Sequence, residues 1–557
     1  VNFGCAEGHD GKNHAKWIPA AFAVVLLLQL ELVWNRPVNW DEFFHLSEAH
    51  AFAKGQLYEM LQVFYARAFF WLAYLGIDAV DQIRVARVFM LICELVTCCA
   101  IFGISRRLTD RTGALLAALA YLSSGYVLQH GMSFRADPMA AACLMAALWV
   151  LLCSRLAARH IIVAAVLVGL GFTVTIKIVL YAPAFLAVAW LRWQETDDRS
   201  ELLRKCAVFI GLSIGFIMLF TFISWLLLPQ TPPPAAREAG KSLSSSSTMM
   251  FDLGLFPRWP YLLGAIFSAP VTAFAAIRTA VILVRPKTAP APAATLHVFA
   301  WLMLGTIGCV SFYANSFPYF YAFILPPVAV AVSIGLSAMV RSLGPAVVVV
   351  AFVAQAVVSS MATPRDVLPA QKQMLHAVHQ IFPEPVAYFD FPGMVPDFSK
   401  ANFFMTVWGI RKYRAGLEPT MAEVAREQVV PLLIVNQEMI QRNQSEPGGA
   451  WELLPEDRLL LKNGYVPHWG PLWVAGHTFA KNDPSESFDI HAPGTYTVEG
   501  GAARIDGILL QSGQTVELAR GEHLYVREST GAITLRWGNH LRRPDTAEPT
   551  GPVLKDF

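Results

Sequence analysis

Asn39-Trp40-Asp41-Glu42-Phe43-Phe44-His45 sets two adjacent carboxylates directly after the first long apolar run of the chain. Desolvation beside a membrane disfavours a charged carboxylate, so an acidic pair at such an interface needs compensation. A carboxylate held there can act as a general base, taking a proton from an acceptor hydroxyl or amine as that group attacks carbon. The same residues also suit a helix start, with Asp41 as its cap and Glu42 in the first turn against the dipole. One residue can serve both purposes.

Four further stretches carry polar groups that could take part in chemistry. In His130-Gly-Met-Ser-Phe-Arg135-Ala-Asp137-Pro138, Arg135 offers bidentate contacts to a phosphate, and Asp137 could orient it or hold a divalent cation. His130 opens that loop as a further substrate-binding candidate, although Asp137-Pro138 is equally what a helix N-terminus looks like. Lys177 lies in the long apolar run 160–192. An ammonium there must snorkel, pair with a carboxylate or meet an anionic ligand such as a lipid phosphate. Around 313–321 aromatic residues crowd the end of two late apolar runs. An aromatic belt accounts for most of them, while Asn315 and Tyr319 could reach a sugar ring or a phosphate. Finally, the Pro- and Ser-rich segment 229–258 is either a linker or a lid, and its Arg237 and Lys241 would meet an anionic substrate first.

The elements that must position these groups belong in a bilayer. Of the 557 residues 55% are hydrophobic and 15% charged, too few charges to coat a soluble surface. Basic and acidic residues nearly cancel at 43 against 41, so no one-sided basic face for nucleic acid is expected. Apolar runs of spanning length occur near 17–34, 85–104, 113–129, 137–154, 160–175, 177–192, 206–228, 260–284, 296–313, 319–338 and 344–361, which predicts about eleven transmembrane helices. The first run is read as a retained helix rather than a cleaved signal. Arginines and lysines gather in alternate connections, which places residues 1–16 in the cytoplasm and the long C-terminal region outside. Two amphipathic pieces, 41–54 and 57–75, should lie in the interface within the segment 41–84. The predicted membrane domain is 17–361. Beyond it, 362–485 reads as an α/β domain, with a helix over 371–381, strands over 386–391 and 430–435, and a Thr420-x-x-Glu423 capping box. Short alternating runs broken by glycine turns make 486–557 a small antiparallel sandwich. All eight cysteines lie at or before Cys309, without metal-ligand spacing.

With the Asp-Glu pair after the first span, Arg135-x-Asp137 between the third and fourth, an intramembrane Lys177 and an outer soluble region, the chain resembles the GT-C class of integral-membrane glycosyltransferases. It looks most similar to bacterial relatives of the protein O-mannosyltransferases and of the lipid A aminoarabinose transferase, over about 17–361. The resemblance implies an enzyme of the bacterial inner membrane, working at its periplasmic face. Asp41 would be the catalytic base with Glu42 beside it, and Arg135 and Lys177 would contact the phosphate of a polyprenyl-phosphate sugar donor such as an undecaprenyl-phosphate sugar. The mannosyltransferases follow the acidic pair with a His one residue earlier than His45. The sugar would pass, with inversion, to an acceptor lipid, glycan or protein. Some members of the class use a divalent metal (magnesium or manganese) and others do not; Asp41, Glu42 and Asp137 are the carboxylates from which such a site could be built. A glycan polymerase or ligase using a lipid-diphosphate donor fits the same pattern. A lipid or sugar transporter would instead place its ionisable groups at the midplane and show an inverted repeat.

Overall fold

A computed structural model describes residues 17–57, 64–228, 254–284, 291–445, 452–480 and 485–554. Arg237 and Lys241 lie outside the described residues.

The N-terminal two thirds is a helical membrane domain. In chain order its helices are α1 (Trp17–Asn35), α2 (Trp40–Ala53), α3 (Phe64–Arg67), α4 (Ala79–Ser105), α5 (Arg111–Leu122), α6 (Gly125–His130), α7 (Ala136–Cys153), α8 (Ala158–Val174), α9 (Ala182–Glu195), α10 (Arg199–Leu226), α11 (Trp259–Ser268), α12 (Pro270–Val284), α13 (Ala291–Gly305), α14 (Phe320–Leu343) and α15 (Pro345–Met361). Seven helical segments are long and apolar enough to cross a membrane, or eight if α11 and α12, which bend by 98° at their junction, count as one span. The sequence reading expects eleven. The other three expected spans fall on the shorter apolar helices α5, α8 and α15. The 12 residues of α5 rise only about 18 Å, well under a hydrocarbon core of about 30 Å. The helix expected over 41–54 is α2. Its expected companion over 57–75 is, among the described residues, only the single turn α3 and a 3₁₀ turn at Phe70–Tyr74.

In hydrocarbon every broken helical hydrogen bond needs a new partner, and side chains from neighbouring helices supply them. Pro326 and Pro327 sit inside α14, the most enclosed span, and deprive the carbonyls of Ala322 and Phe323 of their usual donors. The hydroxyls of Tyr121 and Tyr181 donate to these two carbonyls at 2.8 and 2.5 Å. Gln355 of α15 repairs two other breaks at once. Its Oε1 accepts from Val271 N beside the Pro270 bend at 3.0 Å, and its Nε2 donates to the carbonyl of Ser123, where α5 stops, at 3.0 Å.

The C-terminal region opens with α16 (Val367–Ile381), longer at its start than expected, and builds two sheets. The strands are β1 (Ala387–Phe389), β2 (Ser399–Lys400), β3 (Leu432–Ile434), β4 (Tyr465–Trp469), β5 (Leu472–Phe479), β6 (Ser485–Ile490), β7 (Gly494–Glu499), β8 (Ala503–Ile505), β9 (Ile508–Leu510), β10 (Thr515–Leu518), β11 (Gly521–Arg527) and β12 (Ile533–Trp537). One sheet runs β10-β7-β12-β5-β3-β1-β2 with β4 also on β5, parallel among β1, β2 and β3 and antiparallel elsewhere. The other runs β6-β11-β8-β9. Strands from both sides of residue 485 share the larger sheet, and Phe479 stacks on Tyr525 of the smaller one, with centroids 3.6 Å apart. The Thr420–Glu423 capping box is present.

This region is bolted to the segment that enters α2. The buried Gln371 of α16 accepts from Val38 N at 2.9 Å and donates to Val38 O at 2.8 Å, as a neighbouring strand would. Lys54 donates to Asp397 O at 2.6 Å, and Phe44 stacks on Phe404 with centroids 4.2 Å apart. Gln371→Leu leaves a buried backbone N–H and C=O without partners, which costs about 2–4 kcal/mol. A lowered midpoint in thermal unfolding of the detergent-solubilised protein is the expected result, with a decrease in any activity that depends on α2.

Candidate active site

The site forms where the N-terminus of α2 meets the loop before α7 and the turn before α9. Asn39 caps α2: its side chain accepts from Asp41 N at 3.0 Å, while Glu42 Oε2 accepts from Asn39 N at 3.0 Å to complete a capping box. The cap is therefore Asn39 and not Asp41. Because the preceding amide takes that duty, the Asp41 carboxylate is left for another partner, and it pairs with Arg135.

Glu42 faces the other way. It is fully buried against Arg87, also fully buried, which donates to it through Nε at 2.8 Å and Nη2 at 2.6 Å. The remaining donors of Arg87 reach the carbonyls of Val33, Arg36 and Pro37, and Glu42 also accepts from Phe134 N at 2.9 Å. Burial by itself would raise the Glu42 carboxyl, but the charge and hydrogen bonds of Arg87, with Arg36 nearby, bring it down to about 2. Glu42 thus ties α1, α2, α4 and the loop before α7 together.

Arg135 lies with its guanidinium 3.4 Å from the centre of the Tyr319 ring, a cation–π contact, and its Nε is 3.6 Å from Asp137. Lys177 reaches Asp137 at 2.5 Å and also stands 5.7 Å from the Tyr319 ring. Thr175, in extended conformation, ends α8 and accepts from Lys177 N, so the break in the 160–192 run presents the ammonium to the cluster. Burial pushes the Tyr319 phenol up. Asp41, Arg135, Asp137, Lys177 and Tyr319, drawn from four separate stretches of sequence, thus share one small volume.

The other expected residues border it. His130 is buried, and its ring nitrogen Nδ1 is 3.0 Å from Arg36, whose other amino group donates to Gln129 O and Ser133 Oγ. His45 packs edge-on against Tyr65 at 4.8 Å and faces Phe134 at 6.3 Å. Burial, and then the nearby arginines, lower both imidazoles well below the ordinary 6.5, so both are neutral at physiological pH. Asn315 is half-buried in the connection before α14, two residues from the buried Tyr313. The carboxylates Asp41, Glu42 and Asp137 do not converge into a cation site, since each is turned to a different basic partner: Arg135, Arg87 and Lys177. Among the described residues no group of three or more His, Cys, Asp or Glu side chains is arranged to hold a metal, so this donor set does not fit one.

Sequence reasoning missed Arg36, Arg87 and Tyr65. Arg87 had a usable signal, because a cation just inside the 85–104 run requires a carboxylate as surely as Lys177 does. Arg36 and Tyr65 had none, since an Arg at a span end and a Tyr in an aromatic segment are both ordinary.

The fold, a multi-pass helical domain followed by a C-terminal region of two sheets, is similar to that of the GT-C integral-membrane glycosyltransferases, as the sequence resemblance implies. Residues 66–225 match the family described as dolichyl-phosphate-mannose-protein mannosyltransferase. The Archaeoglobus fulgidus oligosaccharyltransferase in its apo form is similar over 97% of this chain and 98% of that one, at 11% identity and a TM-score of 0.52. ArnT from Cupriavidus metallidurans bound to undecaprenyl phosphate aligns over 66% of this chain and 70% of its own, at 15% identity and a TM-score of 0.45. Arabinosyltransferase EmbB from Mycobacterium smegmatis aligns over 93% and 64%, at 13% identity and a TM-score of 0.41. No curated protein matches the sequence.

Proposed function

We propose that this chain moves a single sugar, with inversion, from a polyprenyl-phosphate donor to an acceptor at the periplasmic face of the bacterial inner membrane. The observation that carries the reading is the pairing of Asp41 with Arg135 beside Lys177 and Asp137. A base and two phosphate-binding cations are what displacement at an anomeric carbon requires. The donor phosphate takes the place of carboxylate as the partner of Arg135 and Lys177 and frees Asp41. Asp41 then accepts the acceptor's proton as the acceptor oxygen or nitrogen bonds to the anomeric carbon, and the bond from that carbon to the phosphate oxygen breaks with its electron pair. Arg135 and Lys177 hold the charge that develops on the leaving phosphate, so no acid is needed. The matched family's description, which names a dolichyl-phosphate-linked mannose, supports the donor class. Basic residues in alternate connections support the orientation.

The test is transfer from a panel of short-chain polyprenyl-phosphate sugars by purified protein, with donor binding followed in parallel. Wild type that binds and consumes no donor overturns the reading in favour of a transporter. Lys177→Met is expected to weaken donor binding about 10- to 100-fold, as loss of a charge-assisted contact should. Most of that effect should appear in KM, with a reduced dependence on salt. An unchanged KM removes Lys177 from the phosphate site.

A further inference from the structure

Tyr65 is 1% exposed, and its hydroxyl has no hydrogen-bond partner among the described residues. His45 Nδ1, across a ring-to-ring distance of 4.8 Å, is likewise buried without a partner. A buried polar atom left unsatisfied destabilises a fold, and a phenylalanine would fill the same space without that cost. Neither atom is loosely placed. Tyr65 sits on α3, which Arg67 fastens to Ser224 of α10 through hydrogen bonds of 3.0 and 2.5 Å. His45 stands one helical turn after Asp41, hence on the same side of α2. Phe134, next to Arg135, holds its ring 6.2 Å from Tyr65 and 4.9 Å from Phe69, and Glu42 fixes its backbone. Tyr65 therefore packs on His45, one turn from Asp41, and on Phe134, the residue before Arg135, which places it next to the cluster.

We infer that Tyr65 Oη and His45 Nδ1, framed by Phe134 and Phe69, form the subsite that recognises the sugar of the donor through its hydroxyls, and that this sugar is neutral. The inference rests on the transferase reading for its location beside Asp41. A phenol both donates and accepts, and a neutral imidazole offers one nitrogen of each kind, so the pair suits vicinal hydroxyls. Aromatic edges and faces suit the C–H surfaces of a sugar ring. An amino sugar would bring an ammonium next to Arg135 and Lys177, while Asp41, Glu42 and Asp137 already face cations.

The experiment compares wild type, Tyr65→Phe and His45→Asn on short-chain polyprenyl phosphates bearing mannose, glucose, arabinose, a monodeoxy analogue of whichever sugar is used best, or 4-amino-4-deoxyarabinose. Bare polyprenyl phosphate serves as the sugarless probe. Tyr65→Phe should lower kcat/KM for the best neutral sugar tenfold or more, leave binding of bare polyprenyl phosphate unchanged, and melt no lower than wild type. On the deoxy donor that lacks the recognised hydroxyl, wild type and Tyr65→Phe should become equal. A preference of wild type for the amino sugar overturns the inference, and so does a loss in Tyr65→Phe that is uniform across donors or extends to bare lipid. If wild type transfers no sugar at all, the transferase reading fails. The binding of sugar-bearing against bare lipid in wild type and Tyr65→Phe still decides the subsite.

Discussion

Asp41→Asn is expected to reduce sugar transfer by about 10²- to 10⁴-fold, the range typical of removing a positioned general base, while donor binding persists. The substitution is conservative where it matters for geometry. Asn39 caps α2 without help from Asp41, and the Glu42 anchor is untouched, so the helix should hold its place. An asparagine oxygen also remains able to accept from Arg135. What disappears is the capacity to take a proton. Measured as single-turnover transfer alongside donor binding, the loss should therefore fall on the chemical step. Transfer within a few-fold of wild type would reduce Asp41 to an ion partner that parks Arg135 between turnovers.

Breaking the buried pair Glu42–Arg87 is the second large effect, and it falls on stability. Neither side chain touches solvent, so Glu42→Leu strands a guanidinium in the interior and Arg87→Leu strands a carboxylate, each at about 3–5 kcal/mol. The double variant removes both charges and should recover a good part of that, which a thermal or denaturant unfolding cycle would reveal as strong coupling. Additive single effects would mean that the pair acts through its separate backbone contacts instead. The same pair sets an acid limit. The Glu42 carboxyl stands at about 2 in the folded protein against an ordinary 4.5, so its contribution is fully present above about 4.5 and is lost as pH falls toward 2. Wild type should lose melting temperature across that window, and Glu42→Gln should lose less.

The long apolar helices, the C-terminal sheets and the acidic helix after the first span were legible because each rests on a local pattern. Apolar runs report burial in lipid, alternation with glycine turns reports a small sheet, and Thr420-x-x-Glu423 reports a helix start. Span boundaries were less legible. The run 113–129 stops at Ser123, and 260–284 bends at Pro270. Whether a serine or proline ends a helix depends on whether a distant residue such as Gln355 can satisfy the backbone it exposes.

The site divides along the same line. Local context dictated that Asp41, Glu42, Arg135, Asp137 and Lys177 needed compensation, since a charge beside or within hydrocarbon cannot be left alone. It did not determine with whom each would pair. Glu42 and Asp41 are neighbours in sequence, yet the helix turns one against Arg87 and the other against Arg135. That choice required α4 on one side and the loop before α7 on the other. Tyr65 shows the limit most plainly, because an aromatic residue's hydroxyl becomes informative only once its neighbours are in place, and among the described residues none bonds it.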